Sequence, residues 1–302
     1  MTTKLVNFAW GKPLVGLVCA LIFIFVWNLI LRSPPTSVFK APLPPKPLII
    51  AHRGAAMLAP ENTLTSAQRA EALGAYGYET DIRISRDGIP FLMHDNNLKR
   101  TTDVEAIFPE RASDRPENFT WAELKQLNAG EWFVRADPYK TIASGLINLS
   151  EVQEMRGERI PTLAEVLDLL RDNELVFIFD LLSPPAGHPY HAQFFEICFS
   201  LIQQAGIDDR VWFLAKGSER DWVASLAPEM ILTYGADYAN PPEPGELIKG
   251  GYQIVNVDYS LPTEYIKRYQ QVGLKVNLYV VDEPWMFSRF WLAGVDSMTT
   301  NN

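Results

Sequence analysis

The chain has 302 residues, a hydrophobic content of 47% and a net charge of −9. This length suits one large domain, with or without an appendage. An acidic chain lacks the clustered Lys and Arg residues that neutralise nucleic-acid phosphates, so we expect no nucleic-acid partner.

The first distinctive segment is residues 14–31, LVGLVCALIFIFVWNLIL, which contains no charged side chain. An apolar run of about 18 residues is just long enough to cross a bilayer core. A signal peptide is the alternative, but its apolar region is usually shorter and ends at a small-residue cleavage site. We therefore predict a transmembrane helix at 14–31 within an N-terminal segment, 1–32. The Pro-rich residues 33–47 would form an extended linker.

From residue 48 onward, strand-like and helix-like runs alternate along the chain. The predicted strands are short and apolar and cover residues 48–52, 77–83, 175–181, 211–215, 230–234, 253–258, 275–281 and 296–300. The predicted helices are amphipathic and cover residues 62–74, 162–172, 191–206, 219–227, 262–272 and 284–293. This alternation predicts a parallel sheet. The strand count favours a (β/α)8 TIM barrel over 48–302, with a doubly wound open sheet as the alternative.

Two features depart from a regular barrel. Residues 85–95 resemble a hairpin with Asp87-Gly88 as its turn, and residues from about 96 to 159 show weak periodicity. We interpret 96–159 as an insertion after the second strand. The sequence also stops two residues after the last predicted strand. We therefore expect a truncated C-terminus: either the sequence is a fragment, or the last strand is left half covered.

Polar side chains lie at the predicted strand ends. His52 ends the first strand, and Glu79 and Asp81 are two residues apart on the second, so their side chains share one face. Two carboxylates inside a barrel cost several kcal/mol each unless something positive neutralises them. A hard divalent cation with oxygen ligands would do so. Asp180, which ends the next strand, could supply a third ligand.

Each of these residues also has a purely structural interpretation. His52 could be a structural histidine, and Asp180 could cap a loop. The carboxylates of the second strand could pair with nearby arginines, namely Arg53, Arg83 or Arg86. The convergence of two histidines and three carboxylates on strand C-termini nevertheless favours an active site. A metal, two imidazoles and an arginine suit phosphate ester chemistry.

Three motifs occur in order along the chain: AHRGAAMLAPENTL at 51–64, ETDIRISRDGIPFLMHD at 79–95 and RTTD at 100–103. Together they resemble the glycerophosphodiester phosphodiesterase family. The resemblance extends from about residue 48 to 302. It is strongest to the animal multi-pass membrane members, whose catalytic domain follows the last transmembrane helix and faces outside the cell.

The resemblance implies roles for seven side chains. They are two general acid/base histidines, three ligands for one divalent cation, Ca²⁺ or Mg²⁺, and two substrate-site residues: His52 and His94; Glu79, Asp81 and Asp180; Arg53 and Glu61. One position departs from the family pattern. Many members carry a phosphate-binding lysine two residues after the acid of the third strand, where this chain has Leu182. We therefore expect an altered substrate preference or a slower reaction. The usual C-terminal Thr-Asp is Thr300-Asn301 here.

We therefore predict a membrane-anchored, metal-dependent phosphodiesterase that acts on glycerophosphodiesters or lipid-derived substrates, including glycerophosphoinositol or glycosylphosphatidylinositol-linked ones. The acceptor triplets at Asn118 and Asn148 are compatible with N-glycosylation and hence with an external catalytic domain. An inactive, membrane-tethered binding or regulatory domain is one alternative, because of Leu182. A phospholipase of C or D type is another.

Overall fold

The computed structural model describes residues 18–27, 42–236 and 241–302. The chain divides into two compact units, Met1–Leu43 and Pro44–Asn302. In the first unit, residues 18–27 form a helix, α1, whose apolar side chains are exposed. None of the helices that the structure describes is long and apolar enough to cross a bilayer. Both ends of the transmembrane helix predicted at 14–31 lie outside the described residues.

A closed sheet forms the centre of the second unit. In the described part of the chain it contains β1 (Leu48–His52), β2 (Gly77–Ile84), β3 (Pro90–Leu92), β4 (Val176–Leu181), β5 (Val211–Leu214), β6 (Ile231–Ala236), β7 (Ile254–Asp258), β8 (Lys275–Tyr279) and β9 (Ser297–Thr300). All neighbouring strands pair in parallel except β2 and β3. Because β1 pairs with both β2 and β9, the sheet closes into a barrel of eight parallel strands. The barrel prediction is confirmed, and the open-sheet alternative is wrong.

Helices follow most of the strands. They are α2 (Leu64–Ala72), α3 (Val104–Ile107), α4 (Trp121–Leu124), α5 (Glu131–Ala136), α6 (Leu149–Met155), α7 (Leu163–Arg171), α8 (Phe194–Ala205), α9 (Gly217–Leu226), α10 (Pro244–Lys249), α11 (Thr263–Gln271) and α12 (Pro284–Ala293). The pattern missed α10, because six residues are too few to show a helical period. The longer helices pack apolar side chains on the outer face of the barrel, around Phe177, Phe199 and Phe213.

The hairpin and the insertion both lie beside the second strand. β2 and β3 pair antiparallel with Ile84 opposite Pro90, and Gly88 in the turn has a φ of 89°. A positive φ strongly favours glycine at this position. Four short helices, α3 to α6, follow β3, and several of their side chains form a separate apolar cluster around Phe119 and Leu124. The segment thus has its own small core, which its weak periodicity did not show.

Candidate active site

A cavity of about 670 Å³ opens among the C-terminal ends of the barrel strands. Six of the seven side chains singled out in the sequence line it: His52, Arg53, Glu79, Asp81, His94 and Asp180. The seventh, Glu61, lies behind the cavity wall and contacts Arg53. The C-terminal ends of the strands are where TIM-barrel enzymes place their active sites.

The turn after β1 explains the His-Arg-Gly sequence. His52 ends the strand, and the backbone then reverses through Arg53 and Gly54, whose φ values are 53° and 85°. A side chain at position 54 would not fit, because its Cβ would lie 2.4 Å from Oγ of Ser66. Arg53 also adopts a left-handed backbone conformation, although it is not a glycine. Non-glycine residues rarely adopt this conformation. Such strain is typical of functional sites.

The Pro-Glu-Asn-Thr segment, residues 60–63, connects this turn to its neighbours. Asn62 donates its side-chain amide to Oδ2 of Asp81 at 2.9 Å and accepts from Oγ1 of Thr80 at 2.8 Å. Thr63 caps α2 through a reciprocal pair of hydrogen bonds with Ser66. The tetrapeptide therefore connects the first turn to the acidic strand β2 and starts the first barrel helix.

Two acids neutralise the guanidinium group of Arg53. Its Nη1 lies 2.9 Å from Oε1 of Glu61, and its Nε lies 3.3 Å from Oδ2 of Asp81. Arg100 completes the group through two hydrogen bonds to the Glu61 carboxylate, at 2.6 and 2.7 Å. Burial acts to raise the pKa of Glu61, but the hydrogen bonds from Arg100 and the charge of Arg53 outweigh it and lower that pKa. Glu61 is thus an ionised support for Arg53.

His52 is oriented by two residues from the far end of the sequence. Its Nδ1 lies 2.8 Å from Oδ1 of Asn301, and the Asn301 amide donates to Oδ2 of Asp282 at 2.8 Å. A carboxylate only accepts, so it fixes the amide with its oxygen toward His52. Nδ1 must then carry the proton, which leaves Nε2 as an acceptor, 3.8 Å from Oε2 of Glu79. Burial and the charge of Arg53 lower the pKa of His52.

His94 has a different partner. Its Nδ1 lies 2.8 Å from Oδ1 of the adjacent Asp95, whose carboxylate receives two hydrogen bonds from Arg100 at 2.7 and 2.9 Å. The hydrogen bond from His94 and those from Arg100 hold the pKa of Asp95 well below its usual range. An ionised carboxylate fixes Nδ1 of His94 as a donor, so the Nε2 atoms of both histidines are free for proton transfer.

Three carboxylates crowd the remaining wall. Burial and the charges of Asp81 and Asp180 raise the pKa of Glu79 well above its usual range, although the backbone N–H of Arg53 donates to it at 3.1 Å. Burial and the charge of Asp81 raise the pKa of Asp180 to about 6. The three acids lie close enough to repel one another, and the nearby positive side chains do not fully offset this repulsion.

The chemistry of this donor set fits a hard divalent cation. Carboxylate oxygens are the ligands that Ca²⁺ and Mg²⁺ prefer, and a cation would relieve the like-charge repulsion between Glu79, Asp81 and Asp180. The side chains are not, however, gathered as coordination requires. In the described residues, no group of three or more His, Cys, Asp or Glu side chains is arranged to hold a metal ion.

Arg83 does not pair with the acids of β2, which was one structural alternative. It is buried and forms an ion pair with the buried Glu117 of the insertion. Its remaining donors bind the backbone carbonyls of Met93 at 3.0 Å and His94 at 2.6 Å. Arg83 therefore positions the segment that carries His94.

Sequence reasoning missed several supporting residues. Asn301, Asp282 and Arg100 orient the two histidines and Glu61, and Lys216 lines the cavity. The position of Thr300-Asn301 at the end of the last strand was a usable signal for Asn301. Arg100 stands in the RTTD motif and contacts Asp95 five positions earlier, but the motif did not reveal its role. Asp282 and Lys216 have no local signature in the sequence.

The comparisons with known proteins agree with this geometry. The model of the glycerophosphoryl diester phosphodiesterase family matches residues 52–186. A glycerophosphoinositol inositolphosphodiesterase of Mus musculus, GDPD2, is 39% identical over 92% of this chain and 50% of its own length. Glycerophosphodiester phosphodiesterase domain-containing protein 5 of Gallus gallus is 39% identical over 89% of this chain and 44% of its own length. The chain thus spans about half the length of the curated relatives it matches.

A solved structure shares the fold. A phosphodiesterase of Oleispira antarctica, crystallised with the product sn-glycerol-3-phosphate, superposes with a TM-score of 0.68 at 24% identity. The match covers 85% of this chain and 93% of that one. The family model and the curated relatives together show that this chain belongs to the glycerophosphodiester phosphodiesterase family.

Proposed function

We propose that this chain hydrolyses glycerophosphodiesters to an alcohol and a phosphomonoester. The observation that carries this proposal is one cavity lined by two imidazoles with free Nε2 atoms, an arginine and three carboxylates. Hydrolysis of a diester needs a base for the attacking oxygen and an acid for the leaving alkoxide. Each positioned group accelerates the reaction by about 10²- to 10⁴-fold.

The neighbours of the two histidines support a different role for each. Burial and Arg53 lower the pKa of His52, so its ring is neutral at neutral pH and Nε2 can accept a proton. We assign it as the general base. His94 then serves as the general acid, with its Nδ1 proton held by the Asp95 carboxylate. The alkoxide takes its proton from Nε2 of His94, while His52 gains the proton of the attacking hydroxyl or water.

We infer that Glu79, Asp81 and Asp180 draw together around one divalent cation, Ca²⁺ or Mg²⁺, when it binds. When bound, this cation would supply positive charge to a non-bridging phosphate oxygen and to the attacking oxygen. The support for this assignment is the crowding of the three acids in a buried wall, where burial and the charge of Asp81 raise the pKa of Asp180 to about 6. Arg53 contributes further positive charge to the same cavity, although Glu61 and Asp81 already neutralise it in part.

The cavity walls favour a polyhydroxylated leaving group. Beyond the catalytic residues, the walls include Asn256 and Asp258 from β7 and Tyr279 from β8, which offer hydrogen-bonding groups. One curated relative is named for glycerophosphoinositol, and one structural neighbour binds sn-glycerol-3-phosphate. We propose glycerophosphoinositol as the first substrate to test. Glycosylphosphatidylinositol-linked substrates are the next class.

We also propose that residues 14–31 anchor the chain in a membrane and that the barrel faces the outside. The support is the uncharged run itself and two acceptor triplets whose asparagines, Asn118 and Asn148, are exposed. Asn148 also caps α6 through its side-chain oxygen, at 2.9 Å and 3.0 Å from two backbone nitrogens, and this leaves its amide nitrogen available. Glycosidase treatment of the protein from a eukaryotic host should increase its mobility on a gel.

The full chain in detergent, incubated with a panel of glycerophosphodiesters, tests the proposed function. Phosphorus NMR should show a phosphomonoester in the presence of Ca²⁺ or Mg²⁺ and none after chelation. His52→Ala and His94→Ala should each lower turnover by about 10²-fold or more while leaving the circular dichroism spectrum unchanged. Full turnover in both variants would refute the assignment of the two histidines as acid and base. Turnover unaffected by EDTA would refute the proposed dependence on a cation.

A further inference from the structure

One cation in the active-site cavity has no acidic partner among the described residues. Lys216 lies two residues after the end of β5, is exposed and lines the cavity with Asp180. The ion pairs found in the described ranges include Arg53, at 2.9 Å from Glu61 and 3.3 Å from Asp81, but not Lys216. Glu219 lines the same cavity and accepts a hydrogen bond from the backbone N–H of Lys216, but the ion pairs of the described residues do not join it to the ammonium group, which is therefore available to an anionic substrate.

The position of Lys216 corresponds to the missing lysine. β4 and β5 pair in parallel with Phe179 opposite Phe213. Leu182 and Lys216 each lie three residues beyond this pair, after the ends of neighbouring strands. Leu182 has no donor to offer a phosphate, and it is not among the residues that line the cavity. The chain thus carries an ammonium group at the same rim of the barrel, one strand further around.

Two tyrosines hold the lysine in place. The ammonium nitrogen of Lys216 lies 4.8 Å from the centre of the Tyr234 ring, a cation–π distance. Tyr234 in turn packs edge-on against Tyr252, with ring centres 5.1 Å apart. The Tyr252 hydroxyl donates to the carbonyl of Ala215, directly before Lys216, at 2.9 Å. The arrangement limits the freedom of a side chain that is otherwise flexible.

We propose that Lys216 binds the phosphate of the substrate and replaces the contact that Leu182 cannot make. This inference rests on the proposed function for the identity of the ligand. A charge-assisted hydrogen bond from an ammonium group to a phosphate changes affinity by roughly 10- to 100-fold. Lysine serves this role as a point charge with three donors, whereas leucine contributes none.

Binding of sn-glycerol-3-phosphate tests the proposal independently of turnover. Calorimetric titration of the full chain, with Mg²⁺ present, would compare the wild type with Lys216→Met and Lys216→Gln. Both variants should bind the phosphomonoester about 10- to 100-fold more weakly. Lys275→Met is the matched control, because Lys275 is an exposed lysine at the opposite end of the barrel, where β8 begins. It should bind like the wild type.

A relocated charge provides the decisive variant. Adding Leu182→Lys to Lys216→Met returns an ammonium group to the neighbouring strand and should recover most of the lost affinity. If Lys216→Met and Lys216→Gln bind as tightly as the wild type, or if Lys275→Met is weakened equally, the proposal is refuted.

The outcome separates this proposal from the proposed function. A chain that binds the phosphomonoester through Lys216 but cleaves no diester retains the proposal and loses the function. A chain that cleaves diesters with an unchanged KM in Lys216→Met retains the function and loses the proposal. A chain that neither binds nor cleaves loses both.

Discussion

The buried ion pair between Arg83 and Glu117 provides the sharpest stability prediction. Glu117 is 0% exposed and receives hydrogen bonds from Arg83 and, at 3.1 Å, from Arg115. Glu117→Gln keeps the shape of the side chain but leaves the buried guanidinium of Arg83 without its counter-charge. Removing one partner of a buried pair typically costs about 3–5 kcal/mol, because the remaining charge stays desolvated. We expect a loss of that size.

Urea unfolding followed by circular dichroism would measure this loss. Glu243→Gln is the matched control, because Glu243 also pairs with an arginine, Arg268, but both side chains are well exposed. An exposed pair contributes about 0–1 kcal/mol, so the control should unfold almost like the wild type. If Glu117→Gln loses less than about 1 kcal/mol, the pair is not the buried constraint that we infer. The variant should also lower turnover, because Arg83 holds the carbonyl of His94.

Three further predictions concern the cavity. Asp180→Asn should stabilise the chelated protein at pH 8 by about 1–3 kcal/mol and have no effect near pH 3. Burial and the charge of Asp81 raise the folded-state pKa of Asp180 to about 6, so the ionised side chain destabilises the folded protein. The stability that the protonated side chain contributes is therefore lost as the pH rises from about 4 to 6. Equal stability of wild type and variant at pH 8 would contradict this. Saturating Ca²⁺ or Mg²⁺ should raise the melting temperature of the wild type but not of Asp180→Asn, and an equal shift would argue against the ligand set. Asn301→Leu should lower kcat by about 10- to 100-fold with little change in KM, because His52 loses the partner that fixes its tautomer, and an unchanged kcat would show that this hydrogen bond is dispensable.

Much of the barrel could be predicted because its signals are local. A run such as LIIAH is apolar, short and followed by a turn, and it forms β1 at Leu48–His52 as expected. Glu79 and Asp81 are two residues apart on a strand, and this spacing alone placed them on one face, where both line the cavity. The resemblance to a known family supplied the roles, which the spacing alone did not.

The partners of these residues were not predictable in the same way. The sequence offered Arg83 as a neutraliser of the strand acids, but tertiary packing pairs it with Glu117, 34 positions later. The weakly periodic insertion gave no sign that it contains this acid or its own apolar cluster.

The sequence by itself determined the barrel strands, the longer helices and which acids and histidines end the strands, since hydrophobic period and strand alternation act over a few residues. Only the tertiary structure decided how the site is completed. Closure of the barrel through β1 and β9 brings Asn301 to His52 across 249 positions, and pairing of β4 with β5 places Leu182 and Lys216 after neighbouring strands. Contacts between distant segments depend on how strands pair in space, and no local pattern encodes that choice.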